Sequence, residues 1–202
     1  MTMPVLLIVT ASTRPGRVGP AVARWVADGA REHGQFEVTE VDLAQLGLPL
    51  LDEPAHPRLQ QYTSDLVWDW SEAVDRADAI VFVSPEYDYT MPASLLNAVQ
   101  TLSREWAYKP LGLVTYGGVS GGLRSAQTIR LLASSVGMYV VLPAVVIPFV
   151  ASRLDEGVLA ADDALRTGVH AVFTELDRVQ DAFWQLRKER RASENRRPGA
   201  AG

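Results

Sequence analysis

The stretch VLLIVTASTRPGRVG, residues 5–19, changes character halfway along. Val5, Leu6, Leu7, Ile8 and Val9 form a short continuous apolar run, the pattern of a strand buried on both faces of a parallel sheet. The run empties into Ala11–Gly19, which carries two hydroxyls (Ser12, Thr13), two guanidinium groups (Arg14, Arg17) and two glycines (Gly16, Gly19). Helical spacing of Val18, Val22, Trp25 and Val26 follows. A strand leading through such a loop into a helix N-terminus suits an anion, because free backbone N–H groups and the positive end of the helix dipole face it. Ser12 and Thr13 also suit plain helix capping with solvated arginines, and the loop alone leaves both readings open. It matches neither G-x-G-x-x-G nor a Walker loop, which points away from a tightly held dinucleotide or triphosphate.

The rest of the chain repeats this unit. A first helix is predicted from about Val18 to Arg31, a second strand over Gln35–Val41, and a proline-containing loop over Leu43–Pro57. A helix over about Leu59–Arg76 would carry Tyr62, Leu66, Trp70, Ala73 and Ala77 on one stripe. Further strands are expected at Ala79–Val83, Leu111–Thr115 and Tyr139–Leu142, with helices after Pro92 and over Leu123–Val136. The last helix runs from about Asp162 to Lys188, with Leu165, Val169, Val172, Phe173, Leu176, Val179 and Phe183 on one face. Strand–helix alternation repeated five times implies an α/β doubly wound parallel sheet. Five strands favour the flavodoxin-like three-layer sandwich, a five-stranded parallel sheet in order 2-1-3-4-5 with helices on both faces. One domain over 1–188 and a disordered basic tail over 189–202 are expected.

Bulk composition narrows the function. A chain of 202 residues, 48% of them apolar, supports one sizeable core. The absence of cysteine excludes disulfides, thiol catalysis and zinc–thiolate sites. Net charge is −5, and the stretch from Arg187 onward is basic, so the body is more acidic still. An acidic body argues against nucleic acid, and no segment is long and apolar enough for an export signal or a membrane span. A cytoplasmic enzyme is the expectation. His33, His56 and His170 show no metal spacing, so no metal site is expected, and adjacent Asp52 and Glu53 read as solvated.

Three unusual loops, 10–19, 84–91 and 115–122, each follow a strand and precede a helix, so this topology gathers them at one sheet edge. The first offers anion donors. The second, Ser84-Pro85-Glu86-Tyr87-Asp88-Tyr89-Thr90-Met91, offers aromatic rings and carboxylates, and the third, Tyr116-Gly117-Gly118-Val119-Ser120-Gly121-Gly122, is mostly backbone. A ligand with a phosphate at one end and a flat polar ring at the other matches all three.

The segments Ser12–Gly19, Pro85-Glu86-Tyr87-Asp88 and Tyr116-Gly117-Gly118 resemble those of the NADPH-dependent FMN reductase family, in the right order and spacing from about Val5 to Leu142. The resemblance implies that Ser12, Arg14, Arg17, Val18 and Gly19 hold the FMN phosphate. It implies that Pro85, Glu86, Tyr87 and Asp88 lie beside the isoalloxazine, and that Thr115, Tyr116, Gly117 and Gly118 border its other side. Five positions depart from the family pattern: Ala11 stands for glycine, Asp88 for asparagine, and Leu96, Gln100 and Thr101 for lysine, aspartate and tryptophan. If Asp88 touches the pyrimidine edge, its charge should lower the flavin potential.

The expected activity is then FMN-dependent NAD(P)H oxidation. Hydride passes from NADPH or NADH to bound FMN, and electrons go on to a small-molecule acceptor: a quinone, a dye, a metal oxyanion, oxygen or free flavin. The flavin carries the chemistry, so no side chain is assigned as catalytic. A flavin-binding electron carrier and a non-catalytic scaffold or sensor are the alternatives. Family likeness also implies a homodimer or homotetramer, with Leu95, Leu102, Trp106 and Tyr108 either at its interface or in the protomer core.

Overall fold

In the computed structural model, residues 3–194 are described, the side chains of 191–194 excepted. The strands are β1 (Val5–Thr10), β2 (Glu37–Asp42), β3 (Ala79–Pro85), β4 (Pro110–Tyr116) and β5 (Tyr139–Ile147). They form one sheet in the order β2-β1-β3-β4-β5, every neighbour parallel. The helices are α1 (Gly19–His33), the single turn α2 (Leu43–Leu46), α3 (Asp65–Arg76), α4 (Ala93–Gln100), α5 (Leu123–Ser135) and α6 (Asp163–Glu194). A small antiparallel hairpin, β6 (Leu154–Asp155) and β7 (Val158–Leu159), lies between β5 and α6. The expected three-layer order is the observed one.

Alternation along the strands divides the core in two. Leu6, Ile8, Val81, Val83 and Val114 face α1 and α6, where Val22, Val26, Val172, Phe173 and Leu176 pack. Leu7, Val9, Ile80, Phe82, Leu111 and Leu113 face α3, α4 and α5, against Trp70, Val74, Leu95, Val99, Trp106 and Ile129. Complete burial of each such side chain stabilises the fold by about 1.5–3 kcal/mol relative to exposure. At Gly112 a β-carbon would come within 2.6 Å of Val172 Cγ1, so glycine in β4 sets how closely α6 approaches.

Several expectations change in detail. Strand β5 continues five residues beyond Leu142 to Ile147, because a bulge opposite Leu111–Leu113 absorbs Pro143, whose missing N–H would end a regular ladder. Helix α3 starts at Asp65 rather than Leu59. Gln60 takes a left-handed conformation that stops the preceding 3-10 turn, and Glu53 receives the Thr63 and Ser64 N–H groups at the helix start. Glu53 is therefore a tether, not a freely solvated carboxylate. The buried face of α3 is Val67, Trp70, Ser71 and Val74, whereas Leu66 is exposed. Leu95, Leu102 and Trp106 belong to the protomer core, and Tyr108 alone of that set is exposed.

Helix α6 runs through the expected tail boundary at 189. Its residue Arg187 is buried, donating to Asp78 Oδ1 at 2.8 Å and to the Tyr108 carbonyl at 3.0 Å. Those bonds fasten the helix to the amino-terminal edge of the sheet, and it runs on to Glu194. The rest of the expected disordered tail, 195–202, lies outside the described residues. Among the described residues no helix is long and apolar enough to cross a membrane.

Candidate functional site

Because all five strands are parallel, the segments after β1, β3, β4 and β5 emerge at the same edge. The β1 segment enters α1 with Val18 as N-cap and no side-chain cap. Ser12 and Thr13 therefore do not cap the helix, and the plain-cap reading falls. Ala11 N–H reaches the Val83 carbonyl, but among the described residues none of the main-chain N–H groups of Ser12, Thr13, Arg14, Gly16, Val18 and Gly19 donates a hydrogen bond. Such a run of free donors at a helix N-terminus is an anion cradle.

The floor of the cradle is polar and unpartnered. Ser12 Oγ and Tyr116 OH are buried there without a hydrogen-bond partner, while Thr115 Oγ1, also unpartnered, lies on the other face of β4 against Gly122. A β-carbon on Gly19 would lie 2.2 Å from Ser12 Oγ and 2.7 Å from Tyr116 OH, so only glycine leaves that space open. Burial pushes the Tyr116 phenol well above its ordinary value, which keeps it a proton donor. Arg14 is exposed and makes no ion pair among the described residues, which leaves its fork available.

Arg17 is engaged differently from expectation. Its Nη1 donates to Asp42 Oδ1 at 2.9 Å and to the Ser12 carbonyl at 3.0 Å, and Nη2 donates to Asp42 Oδ2 at 2.8 Å. Those bonds consume most of its donor set, and Arg17 acts first as a strut for the loop.

The β3 segment is a two-residue hairpin. Tyr87 and Thr90 exchange both main-chain hydrogen bonds at 3.0 Å, and Asp88 and Tyr89 both take positive φ, 45° and 70°. That is the type I′ geometry, normally given to Asn-Gly. Asp88 sits exposed at its tip, outside the residues that line the cleft. Glu86 holds the hairpin in place by accepting from Arg124 Nη1 at 2.8 Å and from the Arg124 main-chain N–H at 3.0 Å. Burial opposes ionisation of Glu86, yet the bonds from Arg124 and Ser120 keep its carboxyl below the usual range. Arg124 in turn lies 4.2 Å from the centre of the Tyr89 ring.

In the β4 segment, Gly117 and Gly118 face the cleft, and their carbonyls accept from Val150 and Phe149. Gly121 and Gly122 have φ of 61° and 90° and lie against Val146, Pro148 and Thr115, where a β-carbon would come within 2.5–2.9 Å. They turn the chain and do not border the cleft.

Together these segments enclose a cleft of about 630 Å³. Of the residues expected at the site, Arg14, Arg17, Val18, Pro85, Glu86, Tyr87, Tyr116, Gly117 and Gly118 line it, while Ser12, Gly19 and Thr115 lie buried at the loop bases and Asp88 stands outside. A fourth wall, Phe149–Ser152, was not expected. Its sequence signal, the Pro148 turn after a strand, was hidden by ending β5 at Leu142. Among the described residues no cluster of His, Asp and Glu is placed to hold a metal.

A doubly wound sheet with an anion cradle after β1 and aromatic and backbone walls after β3 and β4 defines a flavodoxin-like protein whose site fits a flavin mononucleotide. The family model for NADPH-dependent FMN reductase matches residues 3–152. The chain is 33% identical over 187 residues to an NAD(P)H-dependent FMN reductase of Schizosaccharomyces pombe, covering 91% of this chain and 90% of the relative. It is 34% identical over 136 residues to an NAD(P)H-dependent FMN reductase of Saccharomyces cerevisiae, covering 62% and 71%. The solved structure of FerB, a flavoenzyme NAD(P)H:(acceptor) oxidoreductase from Paracoccus denitrificans, superposes with a TM-score of 0.69 at 18% identity, over 90% of this chain and 99% of that one. The chain belongs to the NADPH-dependent FMN reductase family, a family of oxidoreductases that use FMN and NAD(P)H.

Proposed function

We propose that the cleft holds FMN and that the enzyme catalyses the two-electron reduction of a quinone by NAD(P)H, with NAD(P)⁺ and the hydroquinone as products. The observation that carries this reading is the floor of the β1 loop, where a run of free main-chain N–H groups meets the unpartnered hydroxyls of Ser12 and Tyr116. That donor set suits a phosphate monoester.

Bound FMN supplies hydride acceptance and electron transfer. The chain's own residues supply position and electrostatics. Ser12, Val18, Gly19 and the loop N–H groups hold the phosphate, Arg14 adds a charge-assisted fork, and Arg17 keeps the loop in shape. Pro85, Glu86, Tyr87, Tyr116, Gly117 and Gly118 border the ring, and Thr115 supports that wall from the base of the loop. Asp88 and Tyr89 turn the hairpin that carries Tyr87. A quinone is favoured as acceptor because quinone reductases occur among the relatives, including one of Pseudomonas putida at 28% identity over 130 residues, and because the cleft walls are largely apolar or backbone. The reading includes a homodimer or homotetramer. Leu131 on α5 and Tyr139 and Leu142 on β5 are exposed apolar side chains that offer a surface for it.

The test is NADPH and NADH oxidation followed with menadione, with and without added FMN. Turnover that requires both FMN and the quinone is the expected result. A protein saturated with FMN that oxidises neither nicotinamide with any quinone contradicts the proposal.

A further inference from the structure

We infer that Phe149 is the platform on which the electron acceptor packs, and that it selects apolar, ring-shaped acceptors over polar ones. The inference rests on the FMN reading above and names the residue that sets acceptor preference at that site.

Phe149 is placed against its own local interest. Its backbone is left-handed, φ 50° and ψ 42°, where a β-carbon crowds the following carbonyl and glycine or asparagine is the usual occupant. Its side chain is 57% exposed, and among the described residues no other aromatic ring packs on it. Strain and exposure both weigh against phenylalanine as a choice made for folding.

The turn does not depend on the ring. Phe149 N–H donates to the Gly118 carbonyl at 2.9 Å, and the Phe149 carbonyl accepts from Ser152 N–H at 3.0 Å and Ser152 Oγ at 2.9 Å. The next residue, Val150, is buried and donates to the Gly117 carbonyl at 3.1 Å. Main chain and Val150 thus fix the segment, and they fix the β-carbon of Phe149 at the cleft rim beside the two glycines. Tyr87 supplies an aromatic ring to the same cleft from a different strand, β3 rather than β5. Between them the wall is small side chains and backbone, so Phe149 is the large apolar surface that its wall presents.

The chemistry of the two substrates decides which of them needs it. NAD(P)H carries phosphates, which charged and hydrogen-bonding groups hold without any aromatic face. A quinone has no charge to anchor it, so its affinity comes from ring faces and apolar area. Removing the Phe149 ring therefore costs the quinone more than the nicotinamide.

The experiment uses FMN-saturated wild type and the variants Phe149→Gly, Phe149→Leu and Phe149→Tyr. FMN Kd is read by flavin fluorescence. KM is read for menadione, for ferricyanide as a polar acceptor without rings, and for NADPH. Phe149→Gly is expected to raise the menadione KM about tenfold, the loss of roughly one aromatic contact. It should shift the ferricyanide and NADPH KM and the FMN Kd by no more than about threefold, since neither phosphates nor ferricyanide need an aromatic face. Its thermal midpoint should be unchanged or higher, because the left-handed strain is relieved. Phe149→Tyr should restore the menadione KM, and Phe149→Leu should fall between. Equal KM changes for menadione and ferricyanide, or failure of Phe149→Tyr to restore, overturns the inference. Loss of FMN binding in Phe149→Gly also overturns it, because the ring would then serve the cofactor. A wild-type protein that binds no FMN instead overturns the underlying reading, so the two failures are distinguishable.

Discussion

Arg17 and Asp42 form a bidentate ion pair, Nη1–Oδ1 at 2.9 Å and Nη2–Oδ2 at 2.8 Å, that ties the loop after β1 to the end of β2. Asp42 also caps α2 through the Ala44 N–H at 3.0 Å. The pair is mostly shielded, so its geometry is not merely a surface coincidence. Arg17 is thus held by Asp42, whereas Arg14 makes no ion pair among the described residues. Asp42→Ala should therefore raise the FMN Kd by about tenfold and lower unfolding free energy by about 1–3 kcal/mol, through loss of the cap and an unpaired Arg17. FMN titration and urea unfolding check both. Arg14→Ala should weaken FMN binding with little effect on stability.

Gly19 sits where any β-carbon would meet the Ser12 and Tyr116 hydroxyls. Gly19→Ala is expected to abolish measurable FMN binding while the far-ultraviolet circular dichroism stays native. Gly16→Ala is the contrast: its β-carbon meets nothing within 4 Å, but its φ of +68° makes the change cost about 1 kcal/mol in stability. A Gly16→Ala protein should still bind FMN.

Glu105 is 1% exposed and accepts hydrogen bonds from Gln60 Nε2, Tyr62 OH, Ser71 Oγ and the Ser103 N–H at 2.8–3.1 Å. It fastens the chain before α3 to the segment after α4. Glu105→Ala leaves these donors unpaired and should destabilise the protein by about 2–4 kcal/mol, measured by urea unfolding. Burial raises its pKa, but the hydrogen bonds outweigh burial and bring it below 4.5. A depressed carboxyl pKa contributes stability above the unfolded value that is lost as pH falls toward the folded one. Glu105→Gln should flatten the acid limb of the stability profile below about pH 4.5.

His33 on α1 and His170 on α6 pack edge to face, ring centroids 5.0 Å apart, beside Asp28, Glu32 and Arg166. Burial lowers the His33 pKa below 6.5 and the His170 charge adds to this, while Asp177 opposes both. A base with a lowered folded pKa binds fewer protons when native, so stability is full above 6.5 and falls as pH drops below it. His33→Gln should remove part of the loss between pH 7.5 and 5.5 in urea midpoints.

Much of the fold was legible because β1, β3 and β4 are continuous apolar runs with a helix after each. The full length of β5 is not legible locally, because nothing in the sequence announces the bulge that absorbs Pro143. The loop residues of the site were legible from their chemistry, yet two relationships were not. Arg17 faces Asp42 only because Thr10 and Asp42 are paired across β1 and β2, a register no local pattern reveals. The turn at Asp88–Tyr89 lacks the glycine that announces a type I′ hairpin, so the place of Asp88 at its tip has no local signal. Phe149 was missed for a related reason: an isolated aromatic after a proline carries no periodicity.

Absorbance and fluorescence titration of the purified protein with FMN, repeated with riboflavin, tests the central claim most directly. Saturable one-to-one FMN binding, at least about tenfold tighter than riboflavin, is the result expected if the loop after β1 holds the phosphate. Equal affinity for FMN and riboflavin, or no binding of either, would contradict it.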